Sequence, residues 1–279
     1  MMNRREFILG TAAAAATIRA TAQAAEQPAK TIRIAHCGDP QLGFGFGKEP
    51  DAHERKYKAD LERFERTIAA VNALKPDLCF IAGDMTHLPE EMERDWPRLL
   101  KLFTVPVVAA PGNHDMGNNL TKANVERFER VFGYEYKSLK VGDWRFICGN
   151  SQYWRPTAEN GRKEKYEAWV KDEFAKAKAA GEPVILASHM PPFVARTNEP
   201  DTYENCPLEL RPARLQAYRA AGARFYLCGH THSMLARAWH GITFLNAETT
   251  CLNFDELPFG FRLFTVRPDG SYDWDFRRI

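Results

Sequence analysis

The sequence has little excess charge of either sign, no long hydrophobic run and no pair of cysteines in C-x-x-C spacing. Its 38 basic and 36 acidic side chains give a net charge of +2, which favours neither a nucleic-acid-binding protein nor a polybasic membrane-surface protein. The missing C-x-x-C pair excludes a zinc ribbon. The 279 residues contain no internal repeat and can bury a substantial core.

The N-terminal segment resembles an export signal. Arg4-Arg5 precedes the alanine-rich run 7–18, which is too short and too weakly apolar to predict a membrane span. Ala22-Gln23-Ala24 has the small-residue pattern of a signal-peptide cleavage site. We therefore predict a twin-arginine signal peptide over residues 1–24 and a mature domain over 25–279. The protein would be periplasmic or secreted in a bacterium, without stable membrane insertion after cleavage. The alternative is a disordered basic tail with a chance run of alanines.

The six cysteines fall into two groups. Four lie in apolar strand-like runs, where a cysteine usually behaves as a small buried hydrophobe: Cys37, Cys79, Cys148 and Cys228. The other two, Cys206 and Cys251, lie in loop-like surroundings and are the candidates for a disulfide in an exported protein.

Apolar strand-like runs alternate with segments of helical spacing from residue 31 to about residue 235. The predicted strands are 31–37, 77–82, 105–109, 134–139, 144–148, 183–188 and 224–228. The predicted helices are 53–74, 95–103, 124–132, 163–180 and 212–221. Residues 241–279 are predicted to form further, antiparallel strands around the turn Asp269-Gly270. The pattern predicts one α/β domain.

Five of the predicted strands end in side chains that can bind a metal ion. They are Asp39 with Gln41, Asp84, Asn113 with His114, His189, and His230 with His232. One such residue is more often a helix cap or an ordinary polar side chain. Five at the carboxyl ends of strands, where open α/β sheets place their chemistry, favour one shared site. Mixed carboxylate, amide and imidazole ligands suit first-row divalent ions better than calcium or a thiolate zinc site.

The order Asp-x-Gln, Gly-Asp, Gly-Asn-His-Asp, His and Gly-His-x-His resembles that of the calcineurin-like metallophosphoesterases and covers nearly the whole predicted mature chain. The resemblance implies an α/β sandwich of two mixed β-sheets flanked by helices, with the active site at the strand carboxyl ends. It also implies two divalent metal ions. One would be held by Asp39, Gln41, Asp84 and His232, and the other by Asp84, Asn113, His189 and His230. Asp84 would bridge both ions.

Gln41 departs from the histidine that most of the family has at this position. An amide oxygen is a harder ligand than imidazole, which favours manganese or magnesium over zinc, with iron as a further alternative. Two branches of the family share the glutamine. Asp39-Pro40-Gln41, the segment 112–118 and Asn150-Ser151-Gln152 look closest to a branch described as serine/threonine protein phosphatases. The other branch comprises manganese-dependent diphosphatases acting on nucleoside diphosphate-linked substrates.

The resemblance implies a phosphoester hydrolase, and we expect a phosphomonoesterase in which a metal-bridging hydroxide attacks phosphorus in line. His114 would protonate the leaving oxygen or stabilise its charge, with Asp115 or another carboxylate as its orienting partner. The alternatives are a phosphodiesterase, a nucleoside diphosphate-linked diphosphatase, or a catalytically weak binding module on the same fold. The expected partners are a small phosphorylated substrate or a phosphoprotein, and the export machinery. The loops 42–47 and 194–207, with Tyr153 and Trp154 as aromatic contacts, are the candidate pocket walls.

Overall fold

The computed structural model describes residues 30–45, 47–49 and 51–279, so the predicted signal peptide lies outside the described residues. The five α-helices of this part are α1 (Ala52–Leu74), α2 (Met92–Leu102), α3 (Lys122–Phe132), α4 (Asn160–Ala180) and α5 (Arg211–Ala220). Its first seven strands are β1 (Ile32–Cys37), β2 (Leu78–Ile81), β3 (Val107–Ala109), β4 (Lys137–Val141), β5 (Trp144–Cys148), β6 (Val184–Ala187) and β7 (Ala223–Cys228). The C-terminal part adds β8 (Leu235–Trp239), β9 (Ile242–Asn246), β10 (Gly260–Val266) and β11 (Tyr272–Arg278).

The strands form two sheets, with the orders β11-β10-β1-β2-β3 and β4-β5-β6-β7-β9-β8. In the first sheet β1, β2 and β3 pair in parallel on one side, and in the second β5, β6, β7 and β9 pair in parallel at the centre. Antiparallel pairs add β10 and β11 to the first sheet, and β4 and β8 to the second. This confirms the predicted pair of mixed sheets. The hairpin at Asp269-Gly270 joins β10 to β11 as predicted. The expectation that the whole last stretch is antiparallel is wrong for β9, which runs parallel to β7.

The two sheets pack face to face around an apolar core, and the helices cover their outer faces. Phe80 of β2 meets Phe146 of β5 with ring centroids 5.6 Å apart, and Phe225 of β7 meets Phe264 of β10 at 5.0 Å. Helices α1, α2 and α3 pack on the five-stranded sheet, and α5 packs on the six-stranded one with much of α4. This layering buries the strand interiors, so the loops at the strand ends are the natural place for polar chemistry.

Capping residues determine where the helices begin and end more accurately than the spacing of apolar residues does. Helix α3 begins two residues before its predicted start because the Thr121 side chain accepts a hydrogen bond from the Asn124 amide, which caps the first turn. It ends at Gly133, which adopts the left-handed conformation. None of the helices in the described ranges is both long and apolar enough to cross a membrane.

All six cysteines are buried and form no disulfide. The prediction of buried, hydrophobe-like cysteines in the strands is confirmed. The expectation of a disulfide at Cys206 and Cys251 is wrong, because both thiols are packed inside the protein rather than in exposed loops. Stability therefore comes from packing rather than from covalent bridges.

Candidate metal centre

The polar residues at the strand ends come together at one edge of the sandwich. Two groups of carboxylate and imidazole ligand atoms each lie within 4.8 Å of one another. The first group is Asp84, His189 and His230, and the second is Asp39, Asp84 and His232. Asp84 belongs to both groups, as expected of a bridging carboxylate. These five side chains, with Gln41 and Asn113, are at most 6% exposed.

Three histidines are oriented by backbone carbonyl groups. Nδ1 of His189 lies 2.7 Å from the carbonyl oxygen of Ala82, and Nδ1 of His232 lies 2.7 Å from that of Leu252. Nε2 of His230 lies 3.0 Å from the carbonyl oxygen of Tyr203. A carbonyl oxygen only accepts, so these nitrogens carry the protons, and the opposite ring nitrogens present lone pairs.

Several potential ligand atoms converge at the centre. Nε2 of His189 lies 2.8 Å from Oδ1 of Asn113 and 3.0 Å from Nδ1 of His230. The Asn113 amide cannot turn its nitrogen inward, because Nδ2 is bonded to Asn118 and to the Tyr203 hydroxyl. With the two imidazoles neutral, the Asn113 oxygen and these two ring nitrogens could together ligate one cation.

Gln41 supplies a second indication of a cation site. Its Oε1 is buried and has no hydrogen-bond partner, an arrangement that costs free energy unless the oxygen ligates something. The Gln41 backbone is held to the centre by a 2.7 Å hydrogen bond from its amide to the carbonyl oxygen of Asp84. The donor set therefore fits divalent metal ions.

The backbone at the centre is strained. Four of the eight non-glycine residues with positive φ in the described ranges are predicted ligands, namely Gln41 at 31°, Asp84 at 51°, His230 at 74° and His232 at 49°. Such conformations cost on the order of 1–3 kcal/mol each and cluster at functional sites.

Glycines of the motifs allow the loops to approach the ligands closely. A β-carbon at Gly112 would collide with the Asp84 carboxylate, and one at Gly229 would collide with that of Asp39. This is the physical reason for the Gly-Asn-His-Asp and Gly-His-x-His patterns. The loops after β3 and β7 can only pack against the carboxylates if no side chain precedes Asn113 and His230.

The charged groups of the centre shift one another's protonation. Burial raises the pKa of Asp39 above its ordinary range, although His189 and His232 oppose this. Burial also acts to raise the pKa of Asp84, but the nearby His189 and His114 bring it below its ordinary value. Burial and His189 together lower the pKa of His230 to about 3. His230 is therefore neutral at physiological pH, the form that binds metals.

His114 lies beside the centre, but its partner differs from the one predicted. Its Nδ1 donates to the backbone carbonyl oxygen of His87 at 2.9 Å. Asp115 is wholly buried, and its two oxygens accept from the amides of Met85 and Gly112 at 2.8 Å each. Asp115 thus braces the loop after β2 against the loop after β3, and the prediction that it orients His114 is wrong.

A cavity of about 620 Å³ adjoins the first ligand group at His230, and residues without an assigned role in the sequence line it. These are chiefly Asn118, Gln152, Arg155 and Tyr203. The loop 194–207 was a predicted wall, but no pattern within it singles out Tyr203. A groove of about 880 Å³ between α4 and α5 is larger and contains none of the predicted ligands.

Arg155 explains how the loop is held over the centre. One of its guanidinium nitrogens donates to the carbonyl oxygens of Thr202, Tyr203 and Asn205 at 2.9 to 3.0 Å. The predicted aromatic contacts, Tyr153 and Trp154, are wrong, since both rings are buried in hydrophobic clusters. A Tyr–Trp pair in a short helical turn gives no local sign of which way its rings point.

Two of the curated relatives that match this chain are described with different activities. The chain is 31% identical over 180 residues to the serine/threonine-protein phosphatase CPPED1 of Rattus norvegicus, a match that covers 60% of this chain and 58% of the rat protein. It is 28% identical over 205 residues to a probable cyclic nucleotide phosphodiesterase of Synechococcus, covering 71% of this chain and 74% of that protein. Both names describe enzymes that cleave phosphoester bonds.

A solved structure supports the fold. A dimetal phosphatase from Danio rerio superposes with a TM-score of 0.55 at 12% identity, covering 84% of this chain and 92% of that one. Residues 32–234 match the family model described as calcineurin-like phosphoesterase. Because this match spans most of the chain, the protein belongs to the calcineurin-like phosphoesterase family of binuclear metal-dependent hydrolases.

Proposed function

We propose that this protein is a phosphomonoesterase that acts on a small phosphorylated molecule or a phosphoprotein. The observation that carries the proposal is the convergence of potential ligand atoms from Asn113, His189 and His230 beside the Asp39, Asp84 and His232 group. Such a set of ligand atoms can bind cations, and the cations can in turn bind a phosphoryl group. The 31% identity to a protein phosphatase supports the monoester over other phosphoesters.

The proposed ligands are Asp39, Gln41, Asp84 and His232 for one ion, and Asp84, Asn113, His189 and His230 for the other. Two divalent ions in such a site would supply Lewis-acid activation of water and would neutralise phosphoryl charge. Manganese is the proposed metal, because the buried amide oxygen of Gln41 is a harder ligand than the imidazole usual at that position.

His114 is the proposed general acid. With Nδ1 donating to the carbonyl oxygen of His87, the ring is held in one orientation and Nε2 is left to protonate the leaving oxygen. Its backbone amide also donates to Oδ1 of Asp84 at 2.8 Å, which ties the acid to the bridging ligand. Asp115 acts in this proposal as a positioning residue for both loops.

The test begins with metal-free protein, to which manganese, magnesium, iron and zinc are added separately. Metal content and the hydrolysis of a phosphomonoester, a phosphodiester and a diphosphate are then measured. We expect two ions per chain and the highest turnover with the phosphomonoester and manganese. Two bound ions without hydrolysis of any of the three substrates would instead support the binding-module alternative.

A phosphodiesterase is the second candidate, and the 28% identity to a probable cyclic nucleotide phosphodiesterase favours it. A matched pair of substrates, p-nitrophenyl phosphate and bis-p-nitrophenyl phosphate, separates the two candidates. A higher kcat/KM for the diester would replace the first proposal with this one.

We also propose export through the twin-arginine route to the periplasm. The support is the sequence alone: Arg4-Arg5 before an alanine-rich run and Ala22-Gln23-Ala24 after it. Replacing both arginines by lysine should leave the protein in the cytoplasmic fraction of a bacterial host. If the variant with both arginines replaced still reaches the periplasm, uncleaved or by another export route, the proposal is contradicted.

A further inference from the structure

Two exposed aromatic side chains flank the metal centre. Among the large hydrophobic side chains of the described residues, Phe254 and Tyr203 are the most exposed, at 61% and 59%. The Phe254 ring stacks on His232 with centroids 5.0 Å apart and an interplanar angle of 20°. The Tyr203 ring lies 4.9 Å from that of His230. Exposed rings placed on the ligand histidines of an active site suggest that the substrate covers them.

Phe44 connects the Phe254 side of the centre to the proposed acid. Its ring makes edge contacts with Phe254 at 6.4 Å, with His232 at 5.2 Å and with His114 at 5.9 Å, measured between centroids. These distances are within the range of favourable aromatic pairs. The aromatic wall of Phe44 and Phe254 therefore begins where the leaving oxygen would receive its proton.

The wall is built on anchored backbone. The amide of Phe44 donates to the carbonyl oxygen of Gln41 at 3.0 Å, and the amide of Phe254 donates to that of His232 at 2.8 Å. The amide of Gly43, next to Phe44, donates to the buried carboxylate of Asp60 at 3.1 Å. Each ring is thus tied directly to a proposed metal ligand, Gln41 or His232, so its position relative to the ions is fixed in advance.

We infer that Phe44 and Phe254 form an aromatic subsite for the leaving group, and that the substrates are phosphomonoesters with an aromatic ring attached to the leaving oxygen directly or through one carbon. The inference rests on the proposed function, because the role of His114 decides which side of the centre receives the leaving group. A ring held in this way would lie against Phe254 while its oxygen faces His114.

Tyr203 provides a matched comparison within the same site. Its hydroxyl is bonded to Asn113 at 2.6 Å and to Asn118 at 3.1 Å, so it supports the proposed ligand Asn113. In the described residues it shares no ring contact with Phe44 or Phe254. A change at Tyr203 should therefore weaken binding of every substrate without altering the preference for an aromatic group.

The experiment measures the binding of benzylphosphonate and ethylphosphonate to the manganese-loaded protein by calorimetry. Both probes carry the same phosphonate and differ in the ring. We expect benzylphosphonate to bind roughly tenfold more tightly, the effect of an added aromatic contact. Phe254→Ala should reduce the ratio to about twofold, and Phe254→Leu should give an intermediate ratio because it keeps apolar contact. Tyr203→Leu should weaken both probes and keep the ratio.

Equal affinities in the wild-type protein, an unchanged ratio in Phe254→Ala, or no binding of benzylphosphonate would each overturn the inference. Phe44→Leu is the second variant, and its ratio should also fall. Failure of the proposed function would be detected by a separate measurement. The manganese-loaded protein would then hydrolyse neither benzyl phosphate nor ethyl phosphate. Benzyl alcohol and ethanol are similar leaving groups. A difference between the hydrolysis rates of the two esters therefore reports the subsite rather than the strength of the bond that is cleaved.

Discussion

The inter-sheet core and the metal centre lie on the same strands only a few residues apart, yet they are built in opposite ways. In the core, Ile34 and Phe80 are apolar and wholly buried. At the strand ends, Asp39 and Asp84 are buried to the same degree but charged, and the Asp84 backbone is left-handed. Packing in the core stabilises the fold, whereas the strained backbone and crowded ligand atoms of the centre destabilise it. Function and stability should therefore respond to different substitutions.

The largest expected effect is the loss of activity in Asp84→Asn. Removing the charge shared by both ligand groups should lower kcat/KM by about 10³-fold, the size of effect seen when a key electrostatic group is removed. The metal content should fall, because both ions lose a ligand. The unfolding free energy of the metal-free protein should fall only modestly, because the side-chain amide keeps an acceptor for the His114 backbone amide while the favourable interaction of the charge with His189 is lost. Metal analysis, turnover and denaturant unfolding check this.

The exposed carboxylate Asp172 on α4, changed to asparagine, is the control for Asp84→Asn, and it should leave all three measurements unchanged. An Asp84→Asn protein that keeps two ions per chain and normal turnover would show that Asp84 is not the bridging ligand.

Phe80→Ala should have the opposite profile. The ring is wholly buried and packs on Phe146 and His36. Its removal should lower the unfolding free energy by about 3–5 kcal/mol through lost burial and a cavity. The folded fraction should keep its metal and most of its turnover. If turnover is lost while stability is kept, the separation between core and centre does not hold.

His36 of β1 lies between the core residue Ile34 and the proposed ligand Asp39. Its burial makes the unfolding free energy of the protein depend on pH. Its Nε2 donates to the carbonyl oxygen of Cys228 at 2.9 Å, and burial, with a contribution from Arg262, lowers its pKa to about 3. The unfolded chain therefore binds a proton that the folded protein does not between the ordinary pKa near 6.5 and about 3. The stability is fully present above the upper value and falls as the pH falls through this window.

At pH 5 the wild-type protein should have lost about 2 kcal/mol of unfolding free energy relative to pH 7 through His36. His36→Gln keeps a donor for Cys228 and should lose about 2 kcal/mol less over the same interval. Denaturant unfolding in the presence of a chelator measures both proteins in the same metal-free state. Identical pH dependences would show that His36 is not the responsible group.

The smallest of these effects concerns Asn118. Its Oδ1 accepts from Nδ2 of Asn113 at 2.7 Å and so turns the Asn113 oxygen toward His189. Asn118→Ala should lower metal affinity about tenfold, the lower end of the range for groups that orient a ligand. Asn118→Asp keeps the acceptor and is the control. An unchanged affinity in Asn118→Ala would mean that the Tyr203 hydroxyl orients Asn113 alone.

The sequence predicted the sheet class and the site location because both follow from local patterns. An apolar run ending in Gly-Asp or Gly-His identifies a strand and its carboxyl end, as at Asp84 and His230. The ends of helices depended on caps such as Thr121, and the direction of β9 depended on its pairing with β7. Such features require contacts that no local spacing encodes.

By itself, the sequence determined which side chains could hold metal ions and that they follow strands. Only the tertiary structure decided that Asp115 braces two loops, that the loop of Tyr203 lies over His230, and that Cys206 and Cys251 are separately buried. The physical reason is distance along the chain. Ligand identity depends on the chemistry of one residue, whereas orientation depends on a carbonyl or a ring contributed by a segment many residues away.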